Sequence, residues 1–174
     1  MAERPTHRGV DADSGVAVLF RMHRLAMVRL AMLLLDDQES AEDVVQDAFA
    51  ALHRRWPSLN SEQAAVGYLR TSVVNGARSA LRKRRTVRTY LRSVDEPGHA
   101  RPADAAVLLA DEHRQLLDAL ATLPDRQREV IVLRYWGELS EAEVASTLGI
   151  SVGAVKSSAS RGRDALAAMV EACS

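Results

Sequence analysis

The sequence predicts an all-α protein that consists of two small helical domains joined by a flexible linker. Leu, Ala, Val, Arg and Glu dominate its 174 residues, and this composition suits helices better than sheets. Apolar residues recur at steps of three and four along most of the chain, which is the spacing of one helix face. Between residues 93 and 102 the composition changes to SVDEPGHARP, which is typical of a connection between domains.

These features predict four segments along the chain: a flexible N-terminal tail at residues 1–14, a first domain at 15–90, a linker at 91–104 and a second domain at 105–174. The apolar periodicity predicts three helices in the first domain, near residues 16–35, 40–55 and 61–84. Three helices of this size are enough to enclose one small core.

Residues 140–163 carry the pattern of a helix-turn-helix. Ser140 and Glu143 form a capping box, so a helix begins there, and Gly149 ends it because glycine accepts the left-handed conformation. Ser151 then caps a second helix. Apolar and small residues recur along that second helix at alternating steps and predict its inward stripe: Val152, Val155, Ala159, Gly162, Leu166 and Met169.

The opposite face of this second helix is small, polar and basic, and residues 151–163 include no acid. Such a helix, placed after a short glycine turn, is typical of one that reads bases in the DNA major groove. The alternative interpretation is an ordinary helical hairpin whose basic face is solvated. The preceding run VIVL at residues 130–133 would indicate a strand in isolation, but its position favours a helix over residues 125–136.

The formal net charge is zero, but the charges are unevenly distributed. Residues 36–62 hold Arg54 and Arg55 together with seven acids: Asp36, Asp37, Glu39, Glu42, Asp43, Asp47 and Glu62. Residues 63–92 hold no acid and eight bases: Arg70, Arg78, Arg82, Lys83, Arg84, Arg85, Arg88 and Arg92. This asymmetry predicts two surfaces that bind two different partners.

Several classes of function are excluded by what the sequence lacks. Cys173 is the single cysteine, so no internal disulfide or cysteine-based metal site can form, and a reducing cytoplasm is expected. The five histidines have no metal-ligand spacing, and no nucleophile elbow or phosphate-binding glycine loop is present. We therefore expect no metal, no cofactor and no enzymatic activity. Three arginines within residues 16–35 favour a buried helix over a membrane span.

Three stretches, in this order, resemble the bacterial sigma-70 family. AEDVVQDAFAALHRRW at residues 41–56 is similar to region 2.2, and YLRTSVVNGARSALRKRR at residues 68–85 is similar to regions 2.3 and 2.4. Residues 123–166 are similar to region 4 along their whole length. The resemblance is to the extracytoplasmic-function (group 4) sigma factors, which keep only regions 2 and 4. It implies a three-helix region 2 domain, a helix-turn-helix region 4 domain, and a subunit that directs RNA polymerase to promoters and initiates transcription.

The resemblance also implies the partners: core RNA polymerase, promoter DNA and, as a candidate inhibitor, an anti-sigma protein. Region 4 of the family meets the flap region of the polymerase. Residues of the second helix match the motif that docks onto the clamp helices of the largest subunit: Glu42, Asp43, Gln46 and Asp47. The alternative is that these acids are solvated and that Asp43, with Ser40, caps the helix.

The DNA-binding residues implied by the resemblance form two sets. Those for the −10 element are Asn60, Tyr68, Asn75, Arg78, Arg82, Lys83, Arg84 and Arg85. Those for the −35 element are Arg134, Ser151, Gly153, Ala154, Lys156, Ser157, Ser160, Arg161 and Arg163. Alternatives remain at three positions: Trp56 and Tyr68 flank a pocket for a flipped base or pack in the core, and Arg134 contacts phosphate or pairs with Glu138.

The sequence departs from the family at Ser79, Ala154 and Ser158, where aspartate, threonine and arginine often stand, so the base preference is not carried over. The alternative function is a helix-turn-helix regulator that binds duplex DNA without acting as a polymerase subunit. Such a regulator predicts palindromic half-sites. The basic cluster at residues 82–85 and the acidic face of the second helix count against it.

Overall fold

The computed structural model describes residues 11–35, 37–92 and 111–172, and all regular elements in these ranges are helical. The predicted all-α fold is therefore confirmed. Within the described ranges there are seven α-helices, and a short 3-10 turn, Trp56–Ser58, lies between the second and the third. The helices are α1 (Ala12–Leu35), α2 (Gln38–Arg55), α3 (Glu62–Arg92), α4 (Asp111–Thr122), α5 (Asp125–Tyr135), α6 (Glu141–Leu148) and α7 (Val152–Ala172). Most of the predicted tail and of the predicted linker lies outside the described residues.

Helices α1, α2 and α3 pack against one another and enclose the first part of the core. Leu19, Leu52 and Leu69, one from each helix, are among its fully buried side chains. Trp56 closes one end of this core, because its ring lies so close to Gly15 that a Cβ there would overlap the ring atom Cζ2. Of the two interpretations of Trp56, the structure therefore supports core packing.

The start of α2 differs from the prediction. The expected cap formed by Ser40 and Asp43 is wrong, because the carboxylate of Asp37 accepts a hydrogen bond from the Ser40 backbone N–H at 3.0 Å and the helix begins at Gln38. At the start of α3 the Ser61 hydroxyl accepts from the Ala64 N–H at 3.1 Å. Helix α3 also runs past the predicted end near residue 84, because residues 85–92 include neither glycine nor proline.

Helix α5 lies at the centre of the second part of the core. Its residues Val130, Ile131, Val132 and Leu133 are all at most 2% exposed, although they project in all directions around the helix. They are buried on every side because α7, α6 and α1 all contact this helix. The prediction of a helix here, against the strand indicated by VIVL in isolation, is confirmed.

The helix-turn-helix has the predicted local structure. Ser140 and Glu143 form the capping box in both directions, Gly149 adopts a φ of 64°, and the Ser151 hydroxyl accepts from the Ala154 N–H at 3.2 Å. One part of the predicted stripe on α7 is wrong, because Val152 is 40% exposed and Ser158 is buried instead. The buried face is centred on Val155 and Ser158, and Val152 lies at its edge in the first turn of the helix.

The two groups of helices contact each other. Helix α5 packs against α1, and α6 packs against α3. Arg128, which is 9% exposed, donates hydrogen bonds to the carbonyl oxygen of Leu120 at 2.7 Å and to that of Leu34 at 3.1 Å. This buried guanidinium therefore joins the end of α4 to the end of α1 and fixes where the second group of helices lies on the first.

Candidate functional site

The predicted reading face of α7 is open to solvent. Its residues are all exposed: Ser151, Gly153, Ala154, Lys156, Ser157, Ser160, Arg161 and Arg163. Beneath them Val155 is fully buried, and α7 lies so close to α5 that a Cβ on Gly162 would be 2.8 Å from Cγ1 of Ile131. The face is thus held on a packed support, as a helix that reads a groove requires.

The shape and charge of this face suit a nucleic-acid groove. Gly153, Ala154 and Ser157 are small, so the helix backbone can approach a base edge, while Arg161 and Arg163 supply charge at one end. The Lys156 ammonium lies 3.7 Å from the Glu141 carboxylate, and both side chains are partly exposed. A surface ion pair of this kind is weak and yields readily to phosphate.

Arg134 occupies a structural position next to this face. Its guanidinium donates to the carbonyl oxygen of Leu139 across the turn between α5 and α6, so Leu139, and not Glu138, is the partner seen in the described residues. Glu138 adopts a φ of 52° in the same turn. The role of Arg134 as a phosphate ligand stays a prediction, and its bond to Leu139 explains how the side chain is oriented.

Five of the residues predicted for the −10 element share one face of α3 by their spacing of three, four and seven: Tyr68, Asn75, Arg78, Arg82 and Arg85. Asn75 and Arg82 are exposed on this face, and Lys83 is exposed beside it. Tyr68 is half-buried and packs against the core, while Asn60 is exposed in the loop that precedes α3.

Two arginines of this face contact acids of α5. The Arg78 guanidinium donates from Nε to Glu129 Oε1 at 2.5 Å and from Nη2 to Glu129 Oε2 at 2.8 Å. These hydrogen bonds, together with the charge of Glu129, raise the pKa of Arg78 despite partial burial. The Glu129 side chain is 9% exposed and also accepts from Arg126 at 3.2 Å. Arg85 pairs with Asp125 at 2.7 Å in a more exposed position.

Arg84 lies on the opposite side of α3 and has a role that the sequence did not indicate. Its guanidinium donates to the Leu35 carbonyl at 3.2 Å, to the Asp37 carboxylate at 2.6 Å and to the Ser40 hydroxyl at 2.7 Å. Burial raises the pKa of Asp37, but the hydrogen bonds from Ser40 and the positive charge of Arg84 outweigh it, so the pKa lies below its ordinary value. Arg84 therefore links α3 to the junction of α1 and α2.

The predicted polymerase-docking residues lie together on the outside of α2. Asp43, Gln46 and Asp47 are exposed, and the half-buried Glu42 accepts from Gln38 at 3.0 Å. Asp43 does not cap the helix, since Asp37 has that role. The residues on this face that remain available to a partner are therefore chiefly acidic.

The described residues show neither a metal site nor a membrane span. Within residues 11–35, 37–92 and 111–172, no group of three or more His, Cys, Asp or Glu side chains is arranged to hold a metal ion. Within the same ranges, no helix combines the length and apolar character that crossing a bilayer requires.

Comparison with known protein families gives a match for each group of helices. The family model described as Sigma-70 region 2 matches residues 19–87, and the one described as Sigma-70, region 4 matches residues 113–166. The first range covers most of α1 to α3, and the second covers α4 to α7 up to Leu166.

Individual relatives agree with these matches. The RNA polymerase sigma-E factor of Streptomyces coelicolor is 33% identical over 141 residues, which cover 81% of this chain and 77% of the relative. The ECF RNA polymerase sigma factor SigM of Mycobacterium tuberculosis is 32% identical over 152 residues, which cover 87% of this chain and 75% of the relative.

Two solved structures have a similar fold. One is CnrH in complex with the cytosolic domain of CnrY, with a TM-score of 0.69, 26% identity and coverage of 94% of each chain. The other is the sigma factor RpoE in complex with the anti-sigma factor NepR from Bartonella quintana, with a TM-score of 0.71 and 26% identity. That match covers 90% of this chain and 97% of RpoE.

Proposed function

The chain belongs to the sigma-70 family of RNA polymerase sigma factors, in its extracytoplasmic-function group, and we propose that promoter recognition is divided among its surfaces on α2, α3 and α7. The acidic face of α2 binds core polymerase, the basic face of α3 binds the melted −10 strand, and α7 reads the −35 duplex. We further propose that residues 15–90 and 105–174 act as the two binding units.

One observation carries this proposal. All eight residues predicted for the −35 element on α7 are exposed on a helix whose inner face is packed against α5 and α6. An α-helix fits the major groove, and its arginines and lysines match guanine edges and phosphates. The chain matches both sigma regions 2 and 4. Such a helix therefore supports a function in which α7 recognises duplex DNA while region 2 binds the separated strand.

The surface of α3 suits a different form of DNA. Arg82 and Lys83 are exposed and available to track the phosphates of a single strand, while Asn75 offers both a donor and an acceptor to a base. Extruding a base from the duplex costs a few kcal/mol, so the melted strand needs such contacts to compensate. The exposed Asn60 lies in the loop where the family captures a flipped base.

The chemistry of RNA synthesis resides in the polymerase, so this chain contributes recognition and no catalytic group of its own. Its place of action is then the cytoplasm, where polymerase and chromosome meet. The similar structure of RpoE was solved with an anti-sigma factor, which supports a partner of that class for this chain as well. The flap region of the polymerase is the proposed contact of the second unit.

The decisive experiment is run-off transcription with purified core polymerase and a pool of genomic promoters, followed by mapping of the start sites. We expect initiation only when the chain is present. A footprint made with and without core separates this function from the alternative regulator, which would protect palindromic sites without polymerase. Protection that is independent of core, without any transcript, would overturn the proposal.

The docking face is tested by charge reversal. Asp43→Lys with Asp47→Lys places two positive charges on an exposed acidic face, so co-purification with core should fall at least about tenfold through lost electrostatic complementarity. Glu39→Lys, exposed on the same helix but outside the predicted docking set, is the matched control. Unchanged co-purification of the double variant would remove this assignment and leave the DNA surfaces unaffected.

A further inference from the structure

The reading face of α7 contains two parallel rows of exposed residues. Residues four apart lie on one line along a helix. Six exposed residues of α7 fall on two such lines, a first row of Val152, Lys156 and Ser160 and a second row of Gly153, Ser157 and Arg161. Five of the six belong to the set predicted for the −35 element, and Val152 is the sixth. Its place at the head of the first row makes Val152 part of the same surface.

Val152 is held in a fixed position although its side chain is 40% exposed. Val155, three residues along, is fully buried, and its N–H donates to the Ser151 carbonyl oxygen at 3.1 Å. The Ser151 hydroxyl accepts from the Ala154 N–H at 3.2 Å, so the cap closes the first turn of the helix. A valine in a helix also has one strongly preferred rotamer, so little side-chain freedom is lost when its methyl groups contact a partner.

The exposed first turn of α7 has no side chain that can read a base by hydrogen bonding. Val152, Gly153 and Ala154 carry no polar side-chain atom, and the Ser151 hydroxyl just before them is engaged in the cap. In the DNA major groove, the C5-methyl group of thymine is the apolar feature that distinguishes one base pair from another. Contact with this methyl group is therefore the means by which this turn can select a base.

We propose that Val152 is a specificity-determining residue for the −35 element, and that its two γ-methyl groups contact the C5-methyl group of a thymine. In helix-turn-helix proteins the N-terminal residues of the recognition helix contact base edges, and Val152 lies in that turn. Gly153 has no side chain, so the helix can approach the groove closely enough for this contact. The inference deepens the proposed function and rests on it, because it requires that α7 reads the −35 duplex.

The proposed contact predicts a loss of affinity that depends on a single methyl group. Deoxyuridine pairs with the same hydrogen bonds as thymidine and differs from it only by lacking the C5-methyl group. Removing one buried methyl group should weaken binding about fourfold. Lys156 and Arg161 act through charge and hydrogen bonds, so their contributions should not change with this replacement.

The test uses the full chain assembled with core polymerase and a duplex that carries a −35 element mapped by run-off transcription. Thymidines of the element are replaced by deoxyuridine one at a time on each strand, and binding is measured by fluorescence anisotropy at fixed salt. One replacement should weaken binding of the wild type about fourfold. Val152→Ala should bind the unmodified duplex about fourfold more weakly and should lose nothing further on that replacement, because the shorter side chain no longer reaches the methyl group.

Two further variants make the test specific. Val18→Ala is the matched control, because Val18 is 43% exposed on α1 and lies outside every predicted DNA-binding set. It should change neither the affinity nor the response to deoxyuridine. Val152→Thr keeps the shape of the side chain but replaces one methyl group by a hydroxyl, so its response should be intermediate. These exposed positions tolerate substitution, and thermal unfolding checks that each chain folds.

Each outcome decides the proposal. An equal loss with deoxyuridine in the wild type and in Val152→Ala would assign the methyl contact to another residue. A weaker Val152→Ala without any effect of deoxyuridine would place Val152 against the sugar–phosphate backbone. Either result overturns the proposal, as does a −35 element without an A·T pair. If the wild type initiates transcription, these results refute only the role of Val152, whereas absence of core-dependent initiation refutes the proposed function.

Discussion

Helices α3 and α7 both carry basic faces, but they differ in what their cations contact. On α3, Arg78 and Arg85 reach carboxylates of α5, and Arg84 reaches the junction of α1 and α2. On α7, Arg161 and Arg163 are exposed, and Lys156 lies 3.7 Å from the partly exposed carboxylate of Glu141. One helix thus uses much of its charge inside the molecule, whereas the other presents it to solvent.

The difference shows that the availability of a basic face depends on the acids packed against it as much as on its own sequence. Glu129 reaches Arg78 because α5 is docked beside α3, and Glu129 is 51 residues away along the chain. Within the described residues, the acid that pairs with Lys156 of α7 is Glu141, which lies partly exposed at the start of α6. Charge counts within a segment therefore overestimate how much of the positive charge on α3 is available to a partner.

The largest expected effect is at the open face. Lys156→Ala with Arg161→Ala should weaken −35 duplex binding by about 2–4 kcal/mol, because a well-placed contact to a base edge contributes about 1–3 kcal/mol. Electrophoretic mobility shift at fixed salt measures the loss. Arg54→Ala, exposed on α2, is the matched control. An equal loss of core-polymerase binding by the folded double variant would contradict the division between the two surfaces.

The support of the open face is tested through a glycine. Gly162→Ala places a methyl group 2.8 Å from Cγ1 of Ile131, and overpacking of this kind costs about 1–3 kcal/mol of the free energy of unfolding. Urea unfolding followed by circular dichroism measures the change. At Gly67 of α3 a Cβ meets nothing within 4 Å, so Gly67→Ala should stabilise the chain by about 0.5–1 kcal/mol. Similar effects at both sites would show that α7 is not packed closely against α5.

The basic run of α3 provides a sharper comparison within one helix. Arg84→Ala removes donors from three acceptors and should cost about 1–2 kcal/mol of the free energy of unfolding, a value reduced by partial exposure. Arg82→Ala should change stability by less than about 0.5 kcal/mol and weaken −10 binding instead. Parallel urea unfolding and anisotropy measurements separate the two roles. A reversal of this pattern would mean that Arg84, not Arg82, is the DNA ligand.

The smallest effect concerns acid stability. The pKa of Glu143 is lowered by its hydrogen bonds with Ser140, and that of Asp37 lies below its ordinary value because Ser40 and Arg84 outweigh burial. A carboxyl group whose pKa is lowered in the folded state stabilises the fold at pH values above its ordinary pKa, which is 4.5 for Glu143 and 3.8 for Asp37. This contribution to stability is lost as the pH falls through the lowered pKa. Asp37→Asn and Glu143→Gln should therefore flatten the decline in stability below about pH 4, measured by thermal unfolding. An unchanged decline in both variants would show that other carboxyl groups control it.

Local sequence signals account for the parts of the fold that were predicted well. The capping box of Ser140 and Glu143, the left-handed Gly149 and the cap at Ser151 each act over three or four residues, so they are readable without a fold. The start of α2 was misplaced because Asp37 and Ser40 are both good caps, and the Ser40 hydroxyl accepts from Arg84 instead. The match of the whole order of motifs to two sigma regions made the family predictable as well.

The sequence by itself thus determined the helices, the helix-turn-helix and the presence of a strongly basic α3. Only the tertiary structure decided which of its arginines are left exposed and which contact acids inside the molecule. The residues of the run RKRR at 82–85 are alike in charge, and a rotation of about 100° per residue sends them to different sides of α3. Their partners Asp37 and Asp125 lie 47 and 40 residues away, where packing of separate helices, and no local rule, sets the distance.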